Sequence, residues 1–316
     1  MNAAPTISAV VVIFGGRACL PQCLDALARQ TGVGRYDVVV PCDDRIADVD
    51  VLERRYPAFR FVRLAGIHTY AELRTIGIKH GSAPLVAITE AQCTPCDDWL
   101  ERIVKAHDSA HTVIGGTVDK TAGTALSWAM YLSDYNRYMP PIPAGPASYL
   151  TDCNVSYKRD ALDAIEHVWA DEFHETSVHW TLQSQGKSHW LDPAILVNHG
   201  RVLGIGEALA DRYAFARLFA STRVAATSPA KRWIYAATSC LLPAVFTLRS
   251  FKSVVTKKRN VGQFVRALPA LLVITTVWGF GEFCGYVTGR ADKSLTPRDK
   301  SRATQARAPT EVGATA

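Results

Sequence analysis

Three predicted strands end in side chains that could bind a ligand. Phe14 ends the apolar run 7–14, and Asp43 and Asp44 follow the run 36–40. Glu90 and Gln92, separated by a single residue, follow the run 84–89. Carboxylates cannot hold a diphosphate directly and need an intervening divalent cation, which prefers oxygen ligands. Because an amide oxygen coordinates without charge, Glu90 and Gln92 predict a weakened Mg²⁺ or Mn²⁺ site.

Each of these polar residues also has a structural explanation. Asp43 and Asp44 could cap the following helix, since Asp is favoured at helix N-caps. Glu90 could be a solvated carboxylate before a turn, although the apolar strand before it favours a ligand-binding role. For Gln92 and Asp44 both explanations stay open.

The elements that position these residues alternate between strand and helix. Apolar, β-branched runs predict strands at 7–14, 36–40, 59–64 and 84–89, and helical spacing predicts helices at 20–30, 49–56, 70–80 and 99–106. This alternation is typical of βαβ units in a doubly wound, Rossmann-like α/β sheet, whose ligands bind beyond the carboxyl ends of the strands. Neither a GxGxxG nor a P-loop sequence is present, so NAD dehydrogenases and P-loop NTPases are disfavoured.

Composition limits the partners. The chain has 316 residues and a net charge of +6, and much of the basic excess follows residue 200, where Arg and Lys flank apolar runs. This pattern indicates an anionic membrane surface, and without a basic recognition helix no nucleic acid partner is expected. Cys93 and Cys96 form the only close CxxC pair among eight cysteines. We therefore expect reduced thiols and no zinc site.

Six segments in order resemble the family 2 glycosyltransferases of the GT-A fold, over roughly residues 7–200. They are the first strand with Cys23–Thr31, then Val38–Asp44, Thr89–Pro95, Asn154–Leu162, Glu175–Gly186 and Asp192–His199. The resemblance implies a nucleotide-sugar-binding catalytic domain over residues 1–200. It also implies an inverting transfer of a sugar from a nucleoside diphosphate to an acceptor.

The resemblance also implies roles at the donor side. Glu90-Ala91-Gln92 occupies the position of the family's metal-binding Asp-x-Asp, with one carboxylate replaced by an amide. His199 stands where the family often has a histidine and is a candidate third metal ligand or an ordinary surface histidine. Phe14, Asp43 and Asp44 are expected to contact the nucleotide.

At the acceptor side, Glu175 takes the position of the catalytic base that removes the acceptor's hydroxyl proton. Its alternatives are Asp171 and Glu172 as the base, or a first-turn carboxylate that merely stabilises a helix. Asn154, Asp171 and Trp180 are candidate acceptor contacts, and core packing is the other explanation for Trp180. The Pro- and Tyr-rich stretch 128–149 is expected to be a long functional loop.

The carboxyl-terminal third is predicted to associate with a membrane. We expect an amphipathic helical connector at 201–232, membrane-associated helices at 233–289 and a disordered tail at 290–316. Basic residues between the apolar runs 233–248 and 267–287 predict a cytoplasmic loop. Two complete crossings would separate this loop from the catalytic domain, so we expect one re-entrant or interfacial segment and one span or second shallow segment. The protein is then expected at the cytoplasmic membrane, with its catalytic domain facing the cytoplasm.

The leading functional hypothesis is a transferase that acts on a lipid-linked or cell-envelope polysaccharide acceptor. Because Gln92 weakens the metal site, a catalytically weakened pseudo-glycosyltransferase that acts as a membrane scaffold is the main alternative. A nucleotidyltransferase is a third reading. It would require a Gly-rich loop with a Lys, which Phe14-Gly15-Gly16-Arg17 only faintly resembles.

Overall fold

The computed structural model describes residues 4–13, 19–202, 204–224 and 227–290. The chain forms two compact units, an α/β unit of residues 1–122 and 137–201 and a helical unit of residues 123–136 and 202–316. The predicted tail after Arg290 lies outside the described residues. The further division of the carboxyl-terminal third into connector, membrane-associated helices and tail stays a prediction.

The α/β unit is built on one mixed sheet. Its strands are β1 Ile7–Val12, β2 Tyr36–Cys42, β3 Arg60–Arg63, β4 Leu85–Glu90, β5 Cys93–Pro95, β6 Val113–Asp119, β7 Gly145–Pro146, β8 Asn154–Lys158 and β9 His189–His199. Within the described ranges the order is β3-β2-β1-β4-β8-β6-β9-β5, with β7 paired to β9. The first four strands of this order are parallel, and β8 runs antiparallel to β4 and β6. This mixed sheet confirms the predicted α/β class.

Four of the helices described in the α/β unit, α1 to α4, agree with the helices predicted from spacing. They are α1 Leu20–Ala28, α2 Val49–Arg55, α3 Tyr70–His80, α4 Trp99–Ala106, α6 Arg159–Asp163, α7 Glu166–Trp169 and α8 Glu175–Ser184. A capping box starts α3, because the Thr69 hydroxyl accepts from the Glu72 amide and the Glu72 carboxylate accepts from the Thr69 amide. Two orphan amide donors of the first turn are thereby satisfied.

Close packing fixes α3 against the middle of the sheet. Every residue of β1 is buried, and its neighbour β4 is buried from Val86 onward. A Cβ at Gly77 would lie 2.2 Å from Cγ1 of Val10, so only glycine allows α3 to approach β1 this closely. The approach sets the position of Arg74, one turn earlier on the same helix.

The helical unit contains α5 Ala125–Asp134, α9 Ile205–Val224, α10 Pro229–Thr238, α11 Leu242–Lys257 and α12 Val261–Thr288. The ranges Pro229–Lys257 and Val261–Thr288 each contain an 18-residue stretch of high mean hydropathy, 1.3 and 1.6 respectively, and are long and apolar enough to cross a membrane. Length and composition alone are weak grounds for a crossing, because core helices of soluble proteins also meet these criteria.

One prediction of this region was wrong in part. The stretch 128–149, predicted as a loop, begins inside helix α5. Thr124 caps this helix by accepting from the Ser127 amide, and the four prolines of the stretch all lie beyond residue 139. The helix therefore meets no proline before it ends at Asp134.

Candidate active site

Glu90 and Gln92 lie together at the carboxyl end of β4. Their side chains are buried, with exposed fractions of 3% and 5% for the two residues. Nε2 of Gln92 donates to Oε2 of Glu90 at 2.5 Å, while Oε1 of Gln92 is buried and has no hydrogen-bond partner among the described residues. A buried acceptor without a donor is unusual and costs about 1–3 kcal/mol, so it suits a cation ligand.

The fit to a divalent cation is partial. Among the residues that the structure describes, no three His, Cys, Asp or Glu side chains converge in a way that could hold a metal ion. Magnesium usually takes only one or two protein carboxylates and completes its shell with water and substrate phosphates. The Glu90 carboxylate and the orphan Gln92 oxygen match such a weak site, in which the donor's diphosphate would supply further oxygens.

A buried arginine links the two predicted ends of the site. Arg74 is 4% exposed. Its Nη2 lies 2.5 Å from Oδ2 of Asp152 and 3.7 Å from Oε1 of Glu90, and its Nη1 donates to Oε2 of Glu175 at 3.1 Å. Glu90 and Glu175, which are 85 positions apart in the chain, are thus brought to one guanidinium.

The charges around Arg74 do not cancel. Burial by itself would lower the pKa of this guanidinium, but Asp152, Glu175 and Glu90 outweigh burial and raise it. Arg74 is therefore a fixed positive charge. Three carboxylates face this one guanidinium, so acidic groups outnumber basic groups in the cluster and the site suits a further cation.

Neither Arg74 nor Asp152 was anticipated from the sequence. A signal existed for Arg74, because Tyr70, Arg74 and Gly77 share one helical face of α3, and a charge on a buried face requires a partner. Asp152 lies in the turn before β8 and carries no pattern that distinguishes it from any other turn aspartate.

Glu175 is the first residue of α8, and its side chain is 18% exposed. Its alternative Glu172 is engaged elsewhere, since its Oε2 lies 3.1 Å from Nε2 of His174. Asp171 is exposed. Of the three candidate bases, Glu175 is the one that contacts Arg74.

The two aspartates after β2 differ in environment. Asp43 is 4% exposed and accepts from the Arg45 side chain and from the amides of Arg45 and His68. Burial would raise its pKa, but these hydrogen bonds and the Arg45 charge lower it. Asp44 is exposed and accepts from the Gly66 amide at 2.7 Å. Neither caps α2, whose N-cap is Asp48, so the capping explanation for this pair was wrong.

The end of β9 places His199 beside the Glu90–Gln92 turn. His199 pairs across the ladder with Cys93, and the Gly200 amide donates to the Gln92 carbonyl at 2.7 Å. Nζ of Lys120 donates to the His199 carbonyl at 3.2 Å, and burial lowers the pKa of this lysine to about 8. The predicted histidine is therefore next to the predicted metal ligands in space, although it follows them by more than 100 positions.

The predicted acceptor residues are not equally placed. Asn154 is fully buried, and its amide donates to the carbonyls of Thr117 and Ile195 and accepts from Nε1 of Trp99. This side chain braces β8 against β6 and β9, and the position adds no support for an acceptor contact. Trp180 is half-buried on α8. Phe14 lies outside the described residues.

Buried neutral histidines predict acid sensitivity. The Tyr157 hydroxyl lies 2.8 Å from Nε2 of His179, and burial lowers the pKa of His179 to about 3. Because the unfolded histidine takes up a proton near its usual pKa of about 6.5, the free energy of unfolding falls as pH drops below that value. The loss is about 1.4 kcal/mol per pH unit for each such histidine until the folded pKa is reached.

This expectation is checked by urea unfolding between pH 7.5 and 4.5. His179→Gln should show a shallower dependence on pH than the wild type. His80→Gln, at an exposed position, should leave the dependence unchanged. Identical slopes for His179→Gln and the wild type would contradict it.

Part of the chain matches a known protein family. Residues 8–166, just over half of the chain, match the family described as Glycosyl transferase family 2. No curated protein matches the chain significantly. The matched range contains Asp43, Arg74, Glu90 and Asp152, whereas Glu175 lies beyond its end. Four of the six sequence segments lie within this range, and the match confirms the resemblance to the family. The chain therefore belongs to glycosyl transferase family 2.

Proposed function

We propose that this glycosyltransferase moves a sugar, with inversion, from a nucleoside diphosphate to a lipid-linked or cell-envelope polysaccharide acceptor. The observation that carries the proposal is the Arg74 cluster, in which the candidate donor-side Glu90 and the candidate base Glu175 contact one buried guanidinium. A site for single displacement needs a base and a donor-binding group held at close range.

The proposed reaction is a single displacement. Glu175 takes the proton of the acceptor hydroxyl as that oxygen forms a bond to the anomeric carbon of the donor sugar. The bond between this carbon and the diphosphate breaks on the opposite face, and the electron pair leaves with the nucleoside diphosphate. Arg74 holds the Glu175 carboxylate in place, so that the base does not have to be ordered during the reaction.

The remaining predicted residues serve the donor. Asp44, exposed after β2, is the proposed contact to the nucleotide, and Asp43 braces the loop that contains His68 through its hydrogen bonds. Glu90, Gln92 and His199 would hold a divalent cation. When bound, the cation would neutralise charge on the leaving diphosphate.

The donor side is tested by isothermal titration of nucleoside diphosphates with and without Mg²⁺ or Mn²⁺. We expect binding to be at least about tenfold tighter with the cation, because the Glu90 cluster and the diphosphate repel each other without it. Glu90→Ala should abolish this difference. Gln92→Asp, which restores a second carboxylate, should enlarge it, and Glu166→Gln, exposed on α7, should leave it unchanged.

The outcomes of this titration separate the functional hypotheses. Tight binding with the same affinity in the presence and absence of the cation would contradict the proposed role of the cation. It would not contradict the proposed transferase activity. Binding of no nucleoside diphosphate under any condition would favour the membrane scaffold. A thermal-shift panel of nucleotide sugars would then identify the donor.

The proposed location is the cytoplasmic membrane, with the α/β unit facing the cytoplasm. Within the part of the chain that the structure describes, the ranges Pro229–Lys257 and Val261–Thr288 are long and apolar enough to cross a membrane, which weakly supports association. The orientation follows from the donor, because nucleotide sugars are cytosolic, and from the basic residues between the apolar runs.

A further inference from the structure

Two helices of the helical unit carry exposed apolar side chains. One stripe runs along α11 and includes Val245 and Leu248, which are 50% and 64% exposed. A second stripe runs the length of α12 at helical spacing and consists of Val261, Val265, Leu272, Val273, Phe280 and Phe283, each exposed by more than 40%. Exposed apolar patches of this extent mark an interaction surface.

The charge of the same segment identifies the partner. Residues 229–281 contain no Asp or Glu. They contain eight basic residues, namely Lys231, Arg232, Arg249, Lys252, Lys257, Lys258, Arg259 and Arg266. An apolar face bordered by basic side chains alone fits the acyl region and anionic headgroups of a lipid leaflet.

The opposite face of α12 is covered by helices of the same unit. A Cβ at Gly281 would lie 2.6 Å from the Tyr213 carbonyl, and one at Gly285 would lie 2.7 Å from Cβ of Ala220. Helix α9 therefore packs directly on α12 over this stretch. The exposed apolar stripe of α12 is one face of a helix whose other face is already occupied.

Helices α9 and α5 have charged side chains close to the central part of α12. Arg212 on α9 is ion-paired with Asp134 on α5 at 2.5 Å, and its guanidinium lies 5.7 Å from the centre of the Trp278 ring. The Asp134 side chain is 35% exposed. In a full crossing this partly exposed carboxylate would lie within the hydrocarbon, which is about 30 Å thick, and would be costly there.

Chain connectivity also argues against a complete membrane crossing by α11. The Asn136 side chain donates to the hydroxyl of Ser250, in the middle of α11, and the Asn136 carbonyl accepts from Ser253 and Lys257. The next residue, Arg137, is exposed and begins a segment of the α/β unit. Asn136, which is hydrogen-bonded to the middle of α11, is therefore followed directly in the chain by a polar, exposed residue.

We propose that the helical unit is a monotopic membrane anchor. The apolar faces of α10, α11 and α12 enter one leaflet of an anionic bilayer, and neither Pro229–Lys257 nor Val261–Thr288 crosses it. Both ends of Pro229–Lys257 therefore lie on the same side of the membrane as the α/β unit. This arrangement does not depend on the proposed transfer reaction.

Cysteine accessibility in sealed membranes tests the topology with the full chain. Ser228→Cys and Lys258→Cys mark the two ends of Pro229–Lys257, and Lys105→Cys marks the exposed surface of the α/β unit. An impermeant maleimide should label all three positions in inverted vesicles and none in right-side-out vesicles, above the background of the wild-type cysteines. Labelling of residues 228 and 258 from opposite sides would overturn the proposal.

Vesicle flotation tests the surface itself. The full chain should float with vesicles containing phosphatidylglycerol and bind pure phosphatidylcholine vesicles more weakly. The pair Val245→Ser and Leu248→Ser should lower partitioning at least about tenfold, since each change removes an apolar side chain that would be buried in the leaflet. Val51→Ser, equally exposed in the α/β unit, is the matched control. Equal partitioning of all variants, or no binding to either vesicle, would overturn the proposal.

Discussion

Glu175→Gln is expected to lower kcat by about 10²–10⁴-fold, the usual contribution of a positioned general base. Glutamine keeps the size of the side chain and can still hydrogen-bond to Arg74, but it cannot accept the acceptor's proton. Binding of the nucleoside diphosphate should be unchanged, because the change lies on the acceptor side. Initial rates of transfer, combined with isothermal titration of the diphosphate, measure the two effects separately.

Asp171→Asn is the matched comparison. Asp171 is the exposed carboxylate that the sequence offered as an alternative base and as an acceptor contact. As an acceptor contact it should change KM more than kcat. Full activity of Glu175→Gln, together with a loss of kcat in Asp171→Asn, would identify Asp171 as the catalytic base.

Arg74→Met is expected to reduce the free energy of unfolding by about 3–5 kcal/mol, the usual cost of removing one partner from a buried ion pair. The variant leaves Glu90, which is 3% exposed, without its counter-charge and releases Asp152 and Glu175. Arg74→Lys should recover part of the loss, since a lysine keeps the charge but lacks the planar fork that reaches several carboxylates. Urea unfolding of the full chain, followed by tryptophan fluorescence, measures both.

The chain offers a control with the same chemistry at the surface. Arg63 also bridges two carboxylates, Asp50 at 2.5 Å and Glu53 at 2.6 Å, but its side chain is 52% exposed. Solvent screening makes such exposed contacts contribute little to stability. Arg63→Met should therefore change stability little, and a loss equal to that of Arg74→Met would mean that burial does not decide the role of Arg74.

Local pattern was enough to predict the parallel part of the sheet and its strand ends. The β-branched run of β1 and the apolar run of β4 allow few other structures, and parallel strands must end at one edge. That is why the sequence alone places Glu90 and Gln92 at the carboxyl end of a sheet strand, where a ligand site is expected. The capping box of α3 and the start of α8 at Glu175 are likewise local features.

The parts that escaped prediction are long-range. Arg74 contacts Glu175 and Asp152 across 101 and 78 positions, and no spacing rule connects residues so far apart. The membership of residues 123–136 in the helical unit is also a tertiary property. Helix α5 is recruited because its buried Trp128, Tyr131 and Leu132 need apolar partners, which a reading of neighbouring residues does not reveal.

Because α5 belongs to the helical unit, the chain cannot be truncated simply after the α/β unit. A fragment that ends at Arg201 would keep α5 but lose α11 and α12, against which it packs, and would expose the ring of Trp128 and the side chain of Leu132. Such a fragment should aggregate. A soluble catalytic fragment would instead need residues 123–136 replaced by a short linker between Ala122 and Arg137.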